Sequence, residues 1–433
     1  MLPLGFLAVF FAWPVFAILR RGFGGGLFTT LADAETWRLA GFTVAQAALS
    51  TVLAVACGMP VAFLLARVRL PGVSLVRTLV LVPFVLPTVV VGLAFRALWP
   101  DGGILAIVLA NAFFNVAVVS RTVAGLWAHL DSRVVDAARA LGASRWRAFG
   151  SVTLPALLPS ITSAAAVVFL FCATSFGVVL ILGGGRYRTL ETEIYLRTEN
   201  LLDLTGAAAL SLVQIIAVVA VLLLGALARR RRETALKLRA ATATARRPRG
   251  GEWVVVAAAL AVLASLLTPV AALVLRSGPA GFRALSGTGH DGTLQISGWA
   301  AAANSLRTAT DATLLAMIVG VSASVLVVTL RRAPGRTAHG LGETVDTALM
   351  LPLGVSAVTA GFSYVVALGE FGATSFLARP QTPTLPVAIA TLISRPGELN
   401  NQMAYAACAT LMVVTVLAVM VIDRLGGGRL GEF

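Results

Sequence analysis

The sequence predicts an all-α, polytopic membrane protein with about ten transmembrane helices. Three observations carry that expectation. Of 433 residues, 58% are hydrophobic and only 12% charged, where a soluble chain carries about 25% charged residues. Apolar runs at 42–66, 78–98 and 204–228 each reach the roughly 20 residues that a hydrocarbon core demands. The formal net charge of +15 comes from basic residues of which 33 of 34 are Arg. They sit in short loops between the apolar runs, without an aromatic-interleaved groove, so they indicate membrane topology rather than nucleic-acid binding.

Taken in order, spans are expected near 1–19, 42–66, 78–98, 103–125, 157–183, 204–228, 253–275, 304–330, 345–377 and 403–422. The first lacks a basic leader region and a small-residue cleavage site, so it reads as an uncleaved span. Loops 67–77, 126–156, 229–252 and 331–343, with the residues after Ile422, carry 21 Lys and Arg, against 11 on the other side. The positive-inside rule therefore places that first set and both termini in the cytoplasm. The strongest element is the arginine run 229–232, followed by Lys237, Arg239, Arg246, Arg247 and Arg249, which reads as a stop-transfer signal and linker. Trp99, Trp127, Trp253 and Trp299 fall near span ends, where interfacial rings sit. Cys57, Cys172 and Cys408 are unpaired within apolar runs, and His129, His290 and His339 have no second ligand at metal spacing. No disulfide, metal or cofactor is expected.

The chain aligns with itself across the basic linker. Trp13-Pro14-Val15 matches Thr268-Pro269-Val270, and Thr51 with Gly58 matches Thr313 with Gly320. Pro83 and Gly92 match Pro352 and Gly361, and Phe176-Gly177, Thr189-Leu190 and Ile194 match Phe371-Gly372, Thr384-Leu385 and Ile389. The spacing breaks once: Gly92 and Gly177 are 85 residues apart but Gly361 and Gly372 only 11, so 74 residues are missing from the second half. The expected organisation is a first repeat at 1–228, a basic cytoplasmic linker at 229–252 and a shortened second repeat at 253–433. Joining the third span to the fifth conserves topology, giving parallel repeats of six plus four spans and one hybrid helix at 345–377. A second half that is four-span in its own right is the alternative.

The sharpest motif is the loop 131–155. It reads as a short helix, a glycine break and a second amphipathic helix ending before a proline. Asp136, Ala137 and Ala138 lie on the first helix, whose small residues offer a smooth face. Gly142 permits the turn, and Ala143 follows it. Trp146 and Phe149 are three apart and share a face, as in helices that dock into a groove. Leu154 and Pro155 begin the return to the membrane.

That spacing resembles the signature of permease subunits of ABC importers: Glu-Ala-Ala, three residues, Gly, nine residues, then Ile-x-Leu-Pro. Here it runs Asp136-Ala137-Ala138, Gly142, then Val152-x-Leu154-Pro155, with Asp for Glu and Val for Ile. Pro83 to Leu93, Phe113-Phe114-Asn115, Leu182-Gly183-Gly184-Gly185, Gly369-Glu370-Phe371-Gly372 and Thr384-Leu385-Pro386 extend the likeness to the fused two-repeat permeases of thiamine and ferric-iron importers. The resemblance implies an inner-membrane, type I importer permease worked by cytoplasmic ATP-binding subunits at the loop. A periplasmic or lipid-anchored solute-binding protein would dock outside. That family carries such a loop in both halves and about twelve spans, whereas this sequence has one loop. No GxxxxGK[ST] segment is present, so ATP hydrolysis is expected in a separate subunit.

Candidate residues lining a substrate pathway are Thr88, Asn111, Asn115, Ser175 and Glu370. Asn111 and Asn115 share a helical face and suit either a cavity or a bond to a neighbouring helix. Glu370 stands where the first repeat has Ser175. The other intramembrane ionisable residues, Arg121, Arg307, Asp311 and Asp346, mostly lie close enough to span ends to snorkel. Rival functions are a secondary transporter or channel, a membrane enzyme, and a degenerate chain that inserts without transporting. Sparse buried charge argues against the first, and the absence of an acid–base cluster argues against the second.

Overall fold

No water completes backbone hydrogen bonds inside lipid, so a spanning chain satisfies them within itself, and helices do so locally. The computed structural model describes residues 2–23, 27–71, 73–230, 246–332 and 357–425. Those residues are helical apart from short connections and one isolated parallel bridge between Val68 and Arg246. Seven described helices are long and apolar enough to cross a membrane: Ala34–Arg67, Ile104–His129, Arg145–Ala173, Leu204–Val221, Glu252–Arg276, Gly298–Leu326 and Glu398–Val421. Thr88–Leu98 and Leu385–Ser394 are apolar but shorter.

Three expected spans are interrupted. The third is split into Val73–Val85 and Thr88–Leu98. Pro87 disfavours helical geometry at Leu86, and it lacks the N–H that would continue the ladder. The fifth stops at Ala173 and resumes as Gly177–Leu182. The expected hybrid helix falls outside the described residues up to 356, and beyond that it is two pieces, Ala357–Gly369 and Gly372–Leu377. At the last two breaks a phenylalanine, Phe176 or Phe371, turns into the protein beside a glycine.

By contacts the chain forms two units, one of residues 29–203 with 210–275, the other of residues 1–28, 204–209 and 276–433. In the first, Ala34–Arg67 starts at Asp33, whose carboxylate accepts from the Glu35 N–H at 3.0 Å. Ala47, Ala54, Gly58 and Ala62 recur at helical spacing on one face, and the three alanines are fully buried. A Cβ at Gly58 would lie 2.7 Å from Val119 Cβ. The backbones of this helix and Ile104–His129 therefore touch, as they must where van der Waals packing holds membrane helices together. Trp127 is buried in the same core, with Phe63 and Phe149 at ring distances of 5.6 and 6.2 Å. It is a packing residue, in contrast to the interfacial role its place near a span end suggested.

In the other unit, Gly298–Arg332 packs on Ala357–Gly369, and Pro279–Ala284, Ala357–Gly369 and Leu385–Ser394 pack on Glu398–Leu425. Met403, Ala404, Ala407 and Cys408 form the buried face of that last helix. The two units close on themselves in the same way. The N–H of Leu190, which opens Leu190–Tyr195, donates to Thr43 Oγ1 at 3.0 Å. The N–H of Leu385, which opens Leu385–Ser394, donates to Ser305 Oγ at 2.7 Å. Each bond satisfies an orphan donor of a helix start.

Candidate functional site

The loop 131–155 is a helical hairpin. Asp131 caps Ser132–Ala140 by accepting from the Arg133 N–H at 3.0 Å. The helix stops in a Schellman motif, with Ala143 N donating to Ala138 O at 3.1 Å and Gly142 N to Arg139 O at 3.0 Å. That closure puts Gly142 at φ +91°, with open space where a Cβ would stand. Glycine is there for the backbone conformation and not for want of room. Ser144 then caps Arg145–Ala148 through the Arg147 N–H at 3.3 Å.

The second helix does not end before Pro155. It passes through a π-helical turn, Phe149–Thr153, directly into Leu154–Ala173. The wider turn shifts the hydrogen-bond ladder just where Pro155 has no N–H to give. Two residues expected on one face differ in burial. Trp146 is 80% exposed, whereas Phe149 turns inward against Trp127. Leu141, at 90% exposure, and Val134 join Trp146 as apolar side chains facing outward. Asp136 and Ala137 are exposed, Ala138, Ala143 and Leu154 half-buried, and Pro155 exposed.

The base of the hairpin is tied down. Arg67 donates to Leu130 O at 3.0 Å, and Arg145 donates to Arg249 O at 2.8 Å. The hairpin is thus held both by the end of a spanning helix and by the last residues of the basic linker. The linker residues 231–245 lie outside the described part of the chain.

A second cluster lies within the helices of the same unit. Asn111 and Asn115 are fully buried and Ser175 nearly so. Asn111 Nδ2 donates to Gln46 Oε1 at 3.0 Å, and Ser175 Oγ donates to Asn111 Oδ1 at 2.8 Å. Gln46 Nε2 donates to Cys172 O at 2.7 Å, and Asn115 Nδ2 donates to Asn111 O at 2.8 Å. The structure thus brings Asn111, Asn115 and Ser175 together. Gln46 was missed in the sequence, although a lone glutamine inside an apolar run is a usable signal. Thr88 opens Thr88–Leu98, half-buried and outside this network. Glu370 is exposed, and its carboxylate accepts from the Ala373 N–H at 2.8 Å, capping Gly372–Leu377.

Residues 55–233 match the family described as "Binding-protein-dependent transport system inner membrane component". A molybdenum transport system permease of Mycobacterium tuberculosis is 35% identical over 249 residues, covering 53% of this chain and 88% of that one. The chain belongs to this permease family. A thiamine transport system permease of Brucella abortus is 30% identical over 246 residues, 52% of this chain and 45% of that one. The permease thus spans about half the length of the thiamine relatives it matches. A solved chain from a bacterial alginate ABC transporter superposes with a TM-score of 0.45 at 16% identity, over 54% of this permease and 93% of that chain. As a family member the permease is a multi-pass inner-membrane protein.

Proposed function

We propose that this permease is the transmembrane subunit of an ATP-driven importer and that the hairpin 131–155 is the handle gripped by a separate cytoplasmic ATPase subunit. The observation that carries the proposal is the hairpin itself, a capped, braced element presenting Leu141 and Trp146 at 90% and 80% exposure. Apolar side chains held out on a rigid turn suit a partner's groove. ATP hydrolysis then belongs to that partner, and a solute-binding protein delivers the substrate from the other side of the membrane. In this reading both termini are cytoplasmic, and the chain is two parallel repeats, six spans plus four. The paired latches at Thr43 and Ser305 support the repeat, since each lies eight residues before its matched threonine, Thr51 or Thr313.

Thiamine is the proposed solute, with ferric iron second, and a relative named for molybdate and tungstate adds those anions to the panel worth testing. Asn111, Asn115 and Ser175 are proposed as pathway residues that open when the helices move, with Thr88 and Glu370 as outlying members. The deciding experiment is co-purification with a co-expressed ATPase subunit. Gly142→Val, which forces a β-branched residue to φ +91°, should cut recovery of the ATPase about tenfold, a strain of roughly 1–2 kcal/mol. Unchanged recovery would count against the docking role. A second reading, a chain that inserts but does not transport, is favoured by the absence of a second hairpin motif from the sequence.

A further inference from the structure

We propose that a recess of about 640 Å³ lined by Arg69, Leu70, Pro71, Arg246 and Arg247 binds the phosphate group of an anionic phospholipid. The recess lies where one spanning helix, Ala34–Arg67, has just ended and another, Glu252–Arg276, is about to begin. Both ends mark the same membrane boundary, whichever side of the bilayer it faces.

Two basic stretches are held side by side there by backbone pairing. Arg69 N donates to Arg246 O at 3.0 Å, and Arg246 N donates to Arg67 O at 3.1 Å. The charge of Arg246 is spent internally, since its guanidinium meets both carboxylate oxygens of Glu252, at 2.6 and 3.0 Å. Arg69 and Arg247 are exposed, and no carboxylate among the described residues pairs with either. A rigid frame that sets two uncompensated guanidinium groups around one recess disfavours the protein alone and favours a bound anion. Guanidinium forks match phosphate oxygens in geometry as well as charge. A free phosphate shares that chemistry but has no use for the apolar wall of Leu70 and Pro71. A phosphodiester anchored at headgroup depth by its acyl chains uses both.

The test is a titration of delipidated permease in non-ionic detergent with dioleoylphosphatidylglycerol, dioleoylphosphatidylcholine and inorganic phosphate, read as retained adducts by native mass spectrometry. Phosphatidylglycerol should be retained about tenfold better than phosphatidylcholine. Arg69→Gln with Arg247→Gln should lower that retention roughly thirtyfold, and Arg247→Gln alone about fivefold, should the double variant not fold. Arg38→Gln with Arg186→Gln removes the same charge, Arg38 lying at the far end of the Ala34–Arg67 helix, and should leave retention unchanged. Equal retention of the two lipids, or equal losses in both double variants, would overturn the site. Displacement of phosphatidylglycerol by millimolar phosphate would overturn the lipid as its occupant.

Discussion

At the scale of single residues, neighbours in the hairpin face opposite ways, Trp146 outward and Phe149 against Trp127. Trp146 touches little of its own chain, so Trp146→Ala should move the unfolding midpoint negligibly, within about 0.5 kcal/mol. An exposed tryptophan is also the residue type that dominates interface energies, so the same change should weaken ATPase binding by about 2 kcal/mol. Phe149→Ala should do the reverse and cost about 2 kcal/mol of stability through its lost contact with Trp127. Thermal unfolding and ATPase pull-down on the same two variants separate these roles. Glu191 offers a pH test outside the spans. Burial pushes its carboxyl above the ordinary value, partly offset by the hydrogen bond that Gln214 donates to it. A raised carboxyl binds its proton more tightly in the folded state. Stability should therefore fall as pH rises from the ordinary carboxylate value through the raised one, and be level below that window. Glu191→Gln should flatten the slope; an unchanged slope would remove Glu191 as its source.

At the scale of elements, helices in lipid are held by close backbone approach and by polar bonds between them. The Ala34–Arg67 and Ile104–His129 helices use both, the first at Gly58 against Val119 and the second at Gln46 against Asn111. Asn111→Leu leaves Gln46 Oε1 and the Ser175 hydroxyl without their partner. In water such orphaning costs about 1–3 kcal/mol, but membrane cycles average about 0.6 kcal/mol because the unfolded state also finds partners. A loss near 1 kcal/mol is expected in detergent unfolding, with positive coupling to Gln46→Leu in a double-mutant cycle. Simple additivity would show that the two side chains do not hold the helices together. In the proposed repeat the place matching Ser175 holds Glu370. Its carboxylate is exposed and accepts from the Ala373 N–H of its own short helix.

At the scale of the whole molecule, the proposed importer has an imbalance. A chain with one coupling hairpin can grip one ATPase subunit, whereas a pair of ATPases needs two grips to transmit closure evenly. Purified complexes should contain fewer than two ATPase subunits per permease, and substrate-stimulated hydrolysis should be weak. Quantitative mass measurement and an ATPase assay check both, and robust coupled uptake would refute the imbalance.

Composition, run length and loop charge were enough to read an all-α membrane chain, because burying a span in lipid is a demand on about 20 consecutive residues and needs no knowledge of neighbours. The first helix of the hairpin and its break at Gly142 were legible too, because a left-handed glycine is local chemistry. The caps Asp131 and Ser144 were not singled out, although each acts within three residues of itself. Where the fifth span breaks, which way Phe149 points and that Trp127 is core were decided only by packing. So was the meeting of Gln46 with Asn111 and Ser175, residues 65 and 64 positions apart in the chain. A side chain inside an apolar run is compatible with lipid, a cavity or another helix, and only the approach of a partner selects among them.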